Sequence, residues 1–150
     1  MRAFLLFLLL TFSGWALAAT ATSFDQLLAD ANAAAATDAG KAYEAELVDS
    51  IYPYLGIMLK KCSLSSGLPP QDFTLVGKVS RFQSLINVAV KPDNALTRCL
   101  GPRLSSQCYP WPPAAYLQDG YPLAINFKAD MVKGVTPKQL ERPVGHSCGF

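Results

Sequence analysis

The chain has 150 residues, of which 51% are apolar and 16% are charged, with 13 Lys and Arg against 11 Asp and Glu. This length fits a single domain. A net charge close to zero, without a block of basic residues, argues against nucleic acid or an anionic membrane surface as the main partner.

The first 18 residues have the pattern of an export signal. Arg2 precedes an apolar run over residues 4–10, and Ala16 and Ala18 form an A-x-A cleavage site. Polar and small residues keep the apolar stretch below the roughly 20 residues that span a bilayer, which disfavours an uncleaved anchor. We therefore expect cleavage near Ala18 and a periplasmic or secreted mature protein with no stable membrane span.

Four cysteines follow the signal: Cys62, Cys99, Cys108 and Cys148. An exported chain meets an oxidising compartment, in which an even number of cysteines favours disulfides. Four cysteines permit three pairings, and spacing alone does not choose among them. A metal site is the alternative, but there is no C-x-x-C pair and the only histidine, His146, stands alone. We expect two disulfides, no metal and no cofactor.

Residues 19–41 are rich in alanine. The segment Ser23 to Gln26 matches a capping box and predicts a short helix through Leu27 and Ala31. The run over residues 33–36 offers little apolar bulk for packing. We therefore expect a loosely attached N-terminal arm.

The next segment has apolar residues at intervals of three and four, which predicts a helix. Pro53 lacks a backbone donor, so we expect a kink there or a fresh helix start with Ser50 near the N-cap. The Pro- and Gly-containing stretch Ser63 to Gln71 is predicted to be a linker. The helical apolar residues are Leu47, Ile51, Tyr54, Leu55, Met58, Leu59 and Cys62.

Three later stretches alternate between two faces with the period of a strand. Such alternation is typical of a sheet with one covered face and one largely wet face. The predicted inward sets are Phe73, Leu75, Gly77 and Val79; Ile86, Val88 and Val90; and Tyr121, Leu123, Ile125 and Phe127.

Between the second and third strands, Pro92 to Asn94 is a helix-start signal. Gly101 and Pro102 should cut or kink that helix early. The expected fold is α+β, in the order α-β-β-α-β: a small three-stranded antiparallel sheet packed on two helices and stapled by disulfides.

Catalysis is not expected, because no nucleophile, base and orienting group converge in the sequence. His146 lies in a Gly-rich tail beside Cys148. Glu44 and Glu46, two residues apart on a helix, point to different faces, and Asp93 fits a helix cap. An enzyme or metal carrier that uses His146 and reduced cysteines is the least favoured interpretation.

Binding is the more promising class of function. The segment Pro110 to Pro113 should be extended, like the polyproline segments that aromatic grooves recognise. Trp111, flanked by Tyr109 and Tyr116, has a composition typical of interface anchors. Alternatively, this segment only crosses the sheet into the last strand, with its aromatic side chains packed on the core.

Exposed sheet edges offer a second route to a partner, because an extended peptide can add a strand there. The last strand, residues 121–128, is the first candidate, with Tyr121, Leu123 and Ile125 as partner-binding residues. Its Pro122 cannot donate a ladder hydrogen bond, which fits an edge position.

Spaced hydrophobic residues, prolines and one cysteine recur in a specific order in the second half of the chain. This order resembles the C-terminal domain of energy-transducing TonB proteins, over about residues 42–128. The landmarks are Val88 to Pro92, Ala95 to Leu100 with Cys99, Tyr109 to Pro113, and Gly120 to Phe127.

The resemblance implies a sheet of about three strands packed on two helices, as the alternation also predicts. It implies a disulfide between Cys62 and Cys99, with Cys108 and Cys148 as the second pair. It further implies a partner peptide that adds a strand to the sheet. TonB proteins keep a membrane anchor and a long proline-rich arm, whereas this chain has a cleavable signal and a short arm, so energy transduction is not expected.

The expected organisation is a signal peptide (1–18), an Ala-rich arm (19–41), a TonB-like domain (42–128) and an irregular C-terminal tail (129–150). The leading hypothesis is a soluble periplasmic module that binds an envelope protein or peptide and has no catalytic activity. The alternative is an exported inhibitor or immunity-type protein that blocks an enzyme cleft.

Overall fold

The computed structural model describes residues 23–141. The predicted signal peptide, its cleavage site near Ala18, His146 and Cys148 lie outside these residues. Short 3-10 helices cover Ala114–Tyr116 and Ala129–Val132. The other elements are α1 (Phe24–Ala35), α2 (Asp38–Ser50), α3 (Tyr52–Ser66), β1 (Phe73–Val79), β2 (Leu85–Lys91), α4 (Ala95–Ser105), β3 (Tyr121–Phe127) and α5 (Pro137–Glu141).

The three strands form one antiparallel sheet in the order β2-β1-β3. β1 is central, so β2 and β3 are both edge strands. From α3 onward the elements follow the predicted order α-β-β-α-β. The expected α+β class, the three-stranded antiparallel sheet and the edge position of β3 are therefore confirmed.

On one face of the sheet, α4 packs against β2 and against α3, and buried side chains of α3 share one core cluster with the strands. Leu75, Leu123 and Ile125 from the sheet are fully buried with Met58, Leu59 and Leu100 from the helices. This shared apolar layer removes the inward face of each strand from water, which is the main stabilising term of such a domain.

The second strand departs from the predicted alternation because of a β-bulge. Lys78 pairs with Ile86 but Val76 pairs with Ala89, so the register shifts by one residue between them. Asn87 has φ 54°, in the left-handed region that Asn tolerates better than most residues. The bulge sends Ile86, predicted to point inward, to the other face of the sheet.

The second face of the sheet is covered by α1, which corrects the expectation of a largely wet face. α1 packs against β3 and β1, and it buries Leu27, Ala31 and Ala34. Val76, whose side chain points to this face, is 0% exposed.

Residues near the two ends of α1 show the direction in which it crosses this face. Near its start, Asp25 forms an ion pair of 2.8 Å with Lys91 at the end of β2. Near its end, Ala34 lines a cavity with Lys78 and Pro122, where β1 ends and β3 begins. Small alanine side chains allow a helix to lie close to a sheet, so the composition that predicted a loose arm instead permits packing.

The break at Pro53 is a fresh helix start, as one of the two alternatives predicted. α2 ends at Ser50 and α3 begins at Tyr52, with Pro53 in its first turn. The N-cap is Ile51 rather than Ser50, whose hydroxyl donates to the carbonyl oxygen of Glu46. α3 then continues to Ser66, so the predicted linker is shorter than expected.

α4 also runs farther than predicted. Asn94 and Thr97 form a complete capping box at its start. The helix then continues through Pro102 to Ser105. Gly101 explains this tolerance, because it has no Cβ to clash with the proline ring that follows it.

A disulfide joins Cys62 on α3 to Cys99 on α4, with a Cα–Cα distance of 5.6 Å. This confirms the first predicted pair. Closing a loop with a sequence separation of 37 residues stabilises the fold by about 4 kcal/mol in the loop-entropy model. Cys108 is also disulfide-bonded, while its predicted partner, Cys148, lies outside the described residues.

The segment after β3 is not wholly irregular. Residues 129–132 and 137–141 are helical and pack against α3. Gly56 on α3 lies so close to the carbonyl oxygen of Met131 that a Cβ there would collide with it. Within residues 23–141, no helix combines the length and the apolar character needed to cross a membrane.

Candidate functional site

Three connecting segments meet at one end of the sheet, where β1 ends and where β2 and β3 begin. They are the β1–β2 turn (80–84), the stretch after α4 (106–113) and the turn before β3 (114–120). We call this region the aromatic end, because it carries Phe82, Tyr109, Trp111, Tyr116 and Tyr121.

The β1–β2 turn is held in one conformation by its own hydrogen bonds. The Ser80 amide donates to the Ser84 carbonyl oxygen at 2.9 Å, and their hydroxyls lie 2.9 Å apart. The Phe82 amide donates to the Ser80 hydroxyl at 3.2 Å. The turn therefore presents Phe82, which is 60% exposed, on a well-defined backbone.

Tyr109 anchors the stretch after α4 in the core. Its amide donates to the Gln83 carbonyl oxygen and its own carbonyl oxygen accepts from the Gln83 side chain, both at 2.9 Å. Its hydroxyl donates to the Leu104 carbonyl oxygen at 3.1 Å. Burial raises the pKa of Tyr109, so the hydroxyl remains a protonated donor.

Trp111 lies between two fixed neighbours. The Pro110 carbonyl oxygen accepts a hydrogen bond of 2.9 Å from the Tyr43 hydroxyl on α2, and Pro112 is buried. Trp111 itself is 63% exposed. The backbone is thus attached to the domain on both sides of a tryptophan that faces solvent.

Behind this segment, Tyr121 is the centre of an aromatic cluster. Its ring centroid lies 4.5 Å from that of Tyr43 and 5.1 Å from that of Tyr116, the latter edge-on. The Tyr121 hydroxyl donates to Glu44 at 3.3 Å. Partial burial raises the pKa of Glu44 above its ordinary value of 4.5, while this hydrogen bond acts in the opposite direction.

The structure separates the predicted partner-binding residues into two groups. The side chains of Tyr109, Tyr121, Leu123 and Ile125 are buried in the core, so none of them is available for direct side-chain contact with a partner. For Tyr109, this burial agrees with the alternative interpretation, in which the aromatic side chains of its segment pack on the core. Tyr116 is partly buried against the same core, and only Trp111 is largely exposed.

β3 can offer a partner its backbone, since it is an edge strand. Pro122 lies at its second residue and has no amide hydrogen to donate. An added strand would therefore have to use the rest of β3, residues 123–127. Strand addition at this edge stays a prediction.

A groove of about 580 Å³ lies between the β1–β2 turn and the turn before β3. Phe82 and Ile86, which is 43% exposed, supply its apolar surface. Arg81 and Asp119 lie on its opposite sides. Sequence reasoning missed this groove, although an aromatic residue within an otherwise polar turn was a usable signal for Phe82.

Charges at the two ends of the sheet are arranged differently. At the end away from the groove, three cations are paired with carboxylates: Lys91 with Asp25, Arg98 with Asp93, and Lys128 with Asp72, at 2.8 to 3.0 Å. Arg81, in contrast, forms no ion pair with any residue in 23–141. Its guanidinium carbon lies 4.8 Å from the centroid of the Phe82 ring.

Nothing in the described part of the chain groups three or more His, Cys, Asp or Glu side chains in a way that could hold a metal ion. The site is instead an exposed aromatic and aliphatic surface on a hydrogen-bonded frame, an arrangement suited to binding. Comparisons with family models, curated proteins and solved structures find no match to this chain.

Proposed function

We propose that this chain is an exported, disulfide-stapled binding module without a catalytic role, and that it holds a protein or peptide partner through Trp111. The observation that carries the proposal is a largely exposed tryptophan on a fixed backbone. Tryptophan is among the residues most often found to dominate binding energy.

The fixed backbone matters because association normally costs the entropy of ordering the interface. Tyr109 and Pro112 are buried and Pro110 accepts a hydrogen bond, so this cost is largely met during folding. A partner then needs to order only the Trp111 side chain, which has two rotatable bonds.

A finer version of the proposal comes from the resemblance to TonB domains. In this version the module lies in the periplasm, and a peptide of the partner adds a strand at the edge of β3. The edge position of β3 supports this version, and Trp111 would then anchor the partner beyond the start of that strand.

The experiment compares Trp111→Ala with Leu64→Ala in the mature protein. Leu64, on α3, is 64% exposed and serves as the matched control for loss of an exposed apolar side chain. Each variant is immobilised and exposed to an envelope extract, and a protein retained by the wild type is then purified and titrated against all three. We expect Trp111→Ala to weaken binding about 30-fold, the size of a hot-spot residue.

Folding should survive in both variants, with unfolding free energies within about 1 kcal/mol of the wild type, because both side chains are mainly exposed. Equal loss of binding in Trp111→Ala and Leu64→Ala would contradict the proposal. A captured hydrolase that loses activity when bound would support the inhibitor alternative over the TonB-like version.

A further inference from the structure

We propose that the groove beside the β1–β2 turn binds an extended peptide segment of the partner that carries a carboxylate next to an apolar side chain. The carboxylate would lie on Arg81, and the apolar side chain on Phe82 and Ile86. This inference rests on the proposed binding function and deepens it by naming the chemistry of the partner.

Arg81 carries the first part of the inference. It is exposed and has no ion-pair partner in the described part of the chain, although three cations at the other end of the sheet are paired. Its guanidinium is placed over the Phe82 ring, on a turn held by hydrogen bonds. A planar guanidinium that lies on an aromatic ring still has its edge donors free to bind a carboxylate with two hydrogen bonds.

The apolar surface carries the second part. The bulge at Asn87 turns Ile86 out of the core, and the tight turn directs Phe82 to solvent. Both side chains line the groove with Arg81. A partner side chain placed there removes apolar surface from water on both molecules, and the exclusion of water strengthens the adjacent charge interaction.

Asp119 determines on which side of the groove the bound segment can carry its carboxylate. It lies on the other side of the groove and forms no ion pair with Arg81 or any other described cation. A second carboxylate on that side would be repelled, whereas a cation or an amide would be accepted. The groove therefore selects the side on which the partner carries its negative charge.

The test is selection from a random peptide library displayed on phage, with the mature protein as target. The variants are Arg81→Glu and Asp119→Lys, and Arg103→Glu is the matched control. Arg103 is exposed on α4, forms no ion pair in the described part of the chain and does not line the groove. Arg103→Glu therefore makes the same change in net charge outside the site.

We expect the wild type and Arg103→Glu to enrich peptides in which Asp or Glu is close to an apolar residue. Arg81→Glu should lose this preference and select Lys or Arg instead. A selected peptide should bind the wild type about 5-fold to 10-fold more tightly than it binds Arg81→Glu, and raised salt should shrink that difference. Asp119→Lys should favour peptides with an additional acidic residue.

Wild-type peptides with no excess of acidic residues, or the same peptides from Arg81→Glu, would overturn the inference and leave the Trp111 experiment unaffected. A wild-type protein that enriches no peptide at all would contradict the inference equally. A second copy of the chain as occupant would appear as a concentration-dependent dimer that Arg81→Glu disrupts in sedimentation, and this too would overturn it.

Discussion

The hydroxyl of Tyr43 on α2 donates a hydrogen bond of 2.9 Å to the carbonyl oxygen of Pro110, 67 residues later in the chain. Burial raises the pKa of Tyr43, which keeps this hydroxyl protonated. One buried side chain thus connects the helical N-terminal part of the domain to the backbone that presents Trp111.

Tyr43→Phe tests this connection. The ring contact with Tyr121 should survive, but the Pro110 carbonyl oxygen loses its donor, which should lower the free energy of unfolding by about 1 kcal/mol. Partner binding should also weaken, by less than in Trp111→Ala, because the tryptophan remains but its backbone is less constrained. Denaturant titration and binding titration measure the two effects.

Tyr116→Phe is the control for that experiment. Tyr116 also packs against Tyr121, but its hydroxyl has no hydrogen-bond partner among residues 23–141. Its loss should change the unfolding free energy by no more than about 0.5 kcal/mol. Equal effects of the two substitutions would show that the Tyr43 hydrogen bond is not what stabilises the segment.

Ala31→Gln tests whether α1 is an integral part of the domain. Ala31 is buried against the sheet, so a longer polar side chain would be overpacked and poorly solvated there. We expect a loss of about 2–4 kcal/mol in unfolding free energy. Ala29→Gln, on the exposed side of the same helix, should cost no more than about 0.5 kcal/mol. If the two substitutions change the unfolding free energy equally little, α1 is a loosely attached arm and not an integral part of the domain.

Glu44→Gln tests the pH dependence of stability. Partial burial raises the pKa of Glu44 in the folded protein, so the folded state binds its proton more tightly than the unfolded state does. The stabilisation from this group is complete below the unfolded pKa of 4.5 and is lost as the pH rises through the folded pKa. The wild type should therefore lose stability relative to Glu44→Gln as the pH rises from acid to neutral.

Tyr121→Phe provides the second arm of that experiment. The Tyr121 hydroxyl lowers the pKa of Glu44 by donating to it, so removing the hydroxyl should raise that pKa further and extend the loss of stability to higher pH. Denaturant titrations across the pH range measure both profiles. Parallel profiles for the wild type and Glu44→Gln would contradict the prediction.

The period-two pattern predicted the sheet and its inward face well, because burial of one face requires an apolar residue at every second position of a strand. The inward set of β3, from Tyr121 to Phe127, is buried as expected. Periodicity failed at Ile86 because a bulge adds one residue to β2, and a single added residue reverses the faces on one side of it. No local pattern in the sequence marks that residue.

The candidate site was harder to predict than the fold. Composition singled out Tyr109, Trp111 and Tyr116 together, but composition does not separate a core aromatic residue from an exposed one. The separation depends on hydrogen bonds to distant residues, such as Tyr43 and Gln83. Arg81 was missed for a related reason: whether an arginine is paired depends on which carboxylates the fold brings near it.

The packing of α1 on β3 makes the first and last major elements of the domain depend on each other. Synthesis from the N-terminus produces α1 first, yet the strand it covers is completed only at Phe127. The second edge of the central strand β1 is likewise unpaired until β3 is present. No shorter N-terminal fragment can therefore complete this sheet, and contacts of such long sequence separation slow folding. We expect the described domain to fold as one cooperative unit, and only once the chain through Phe127 is in place.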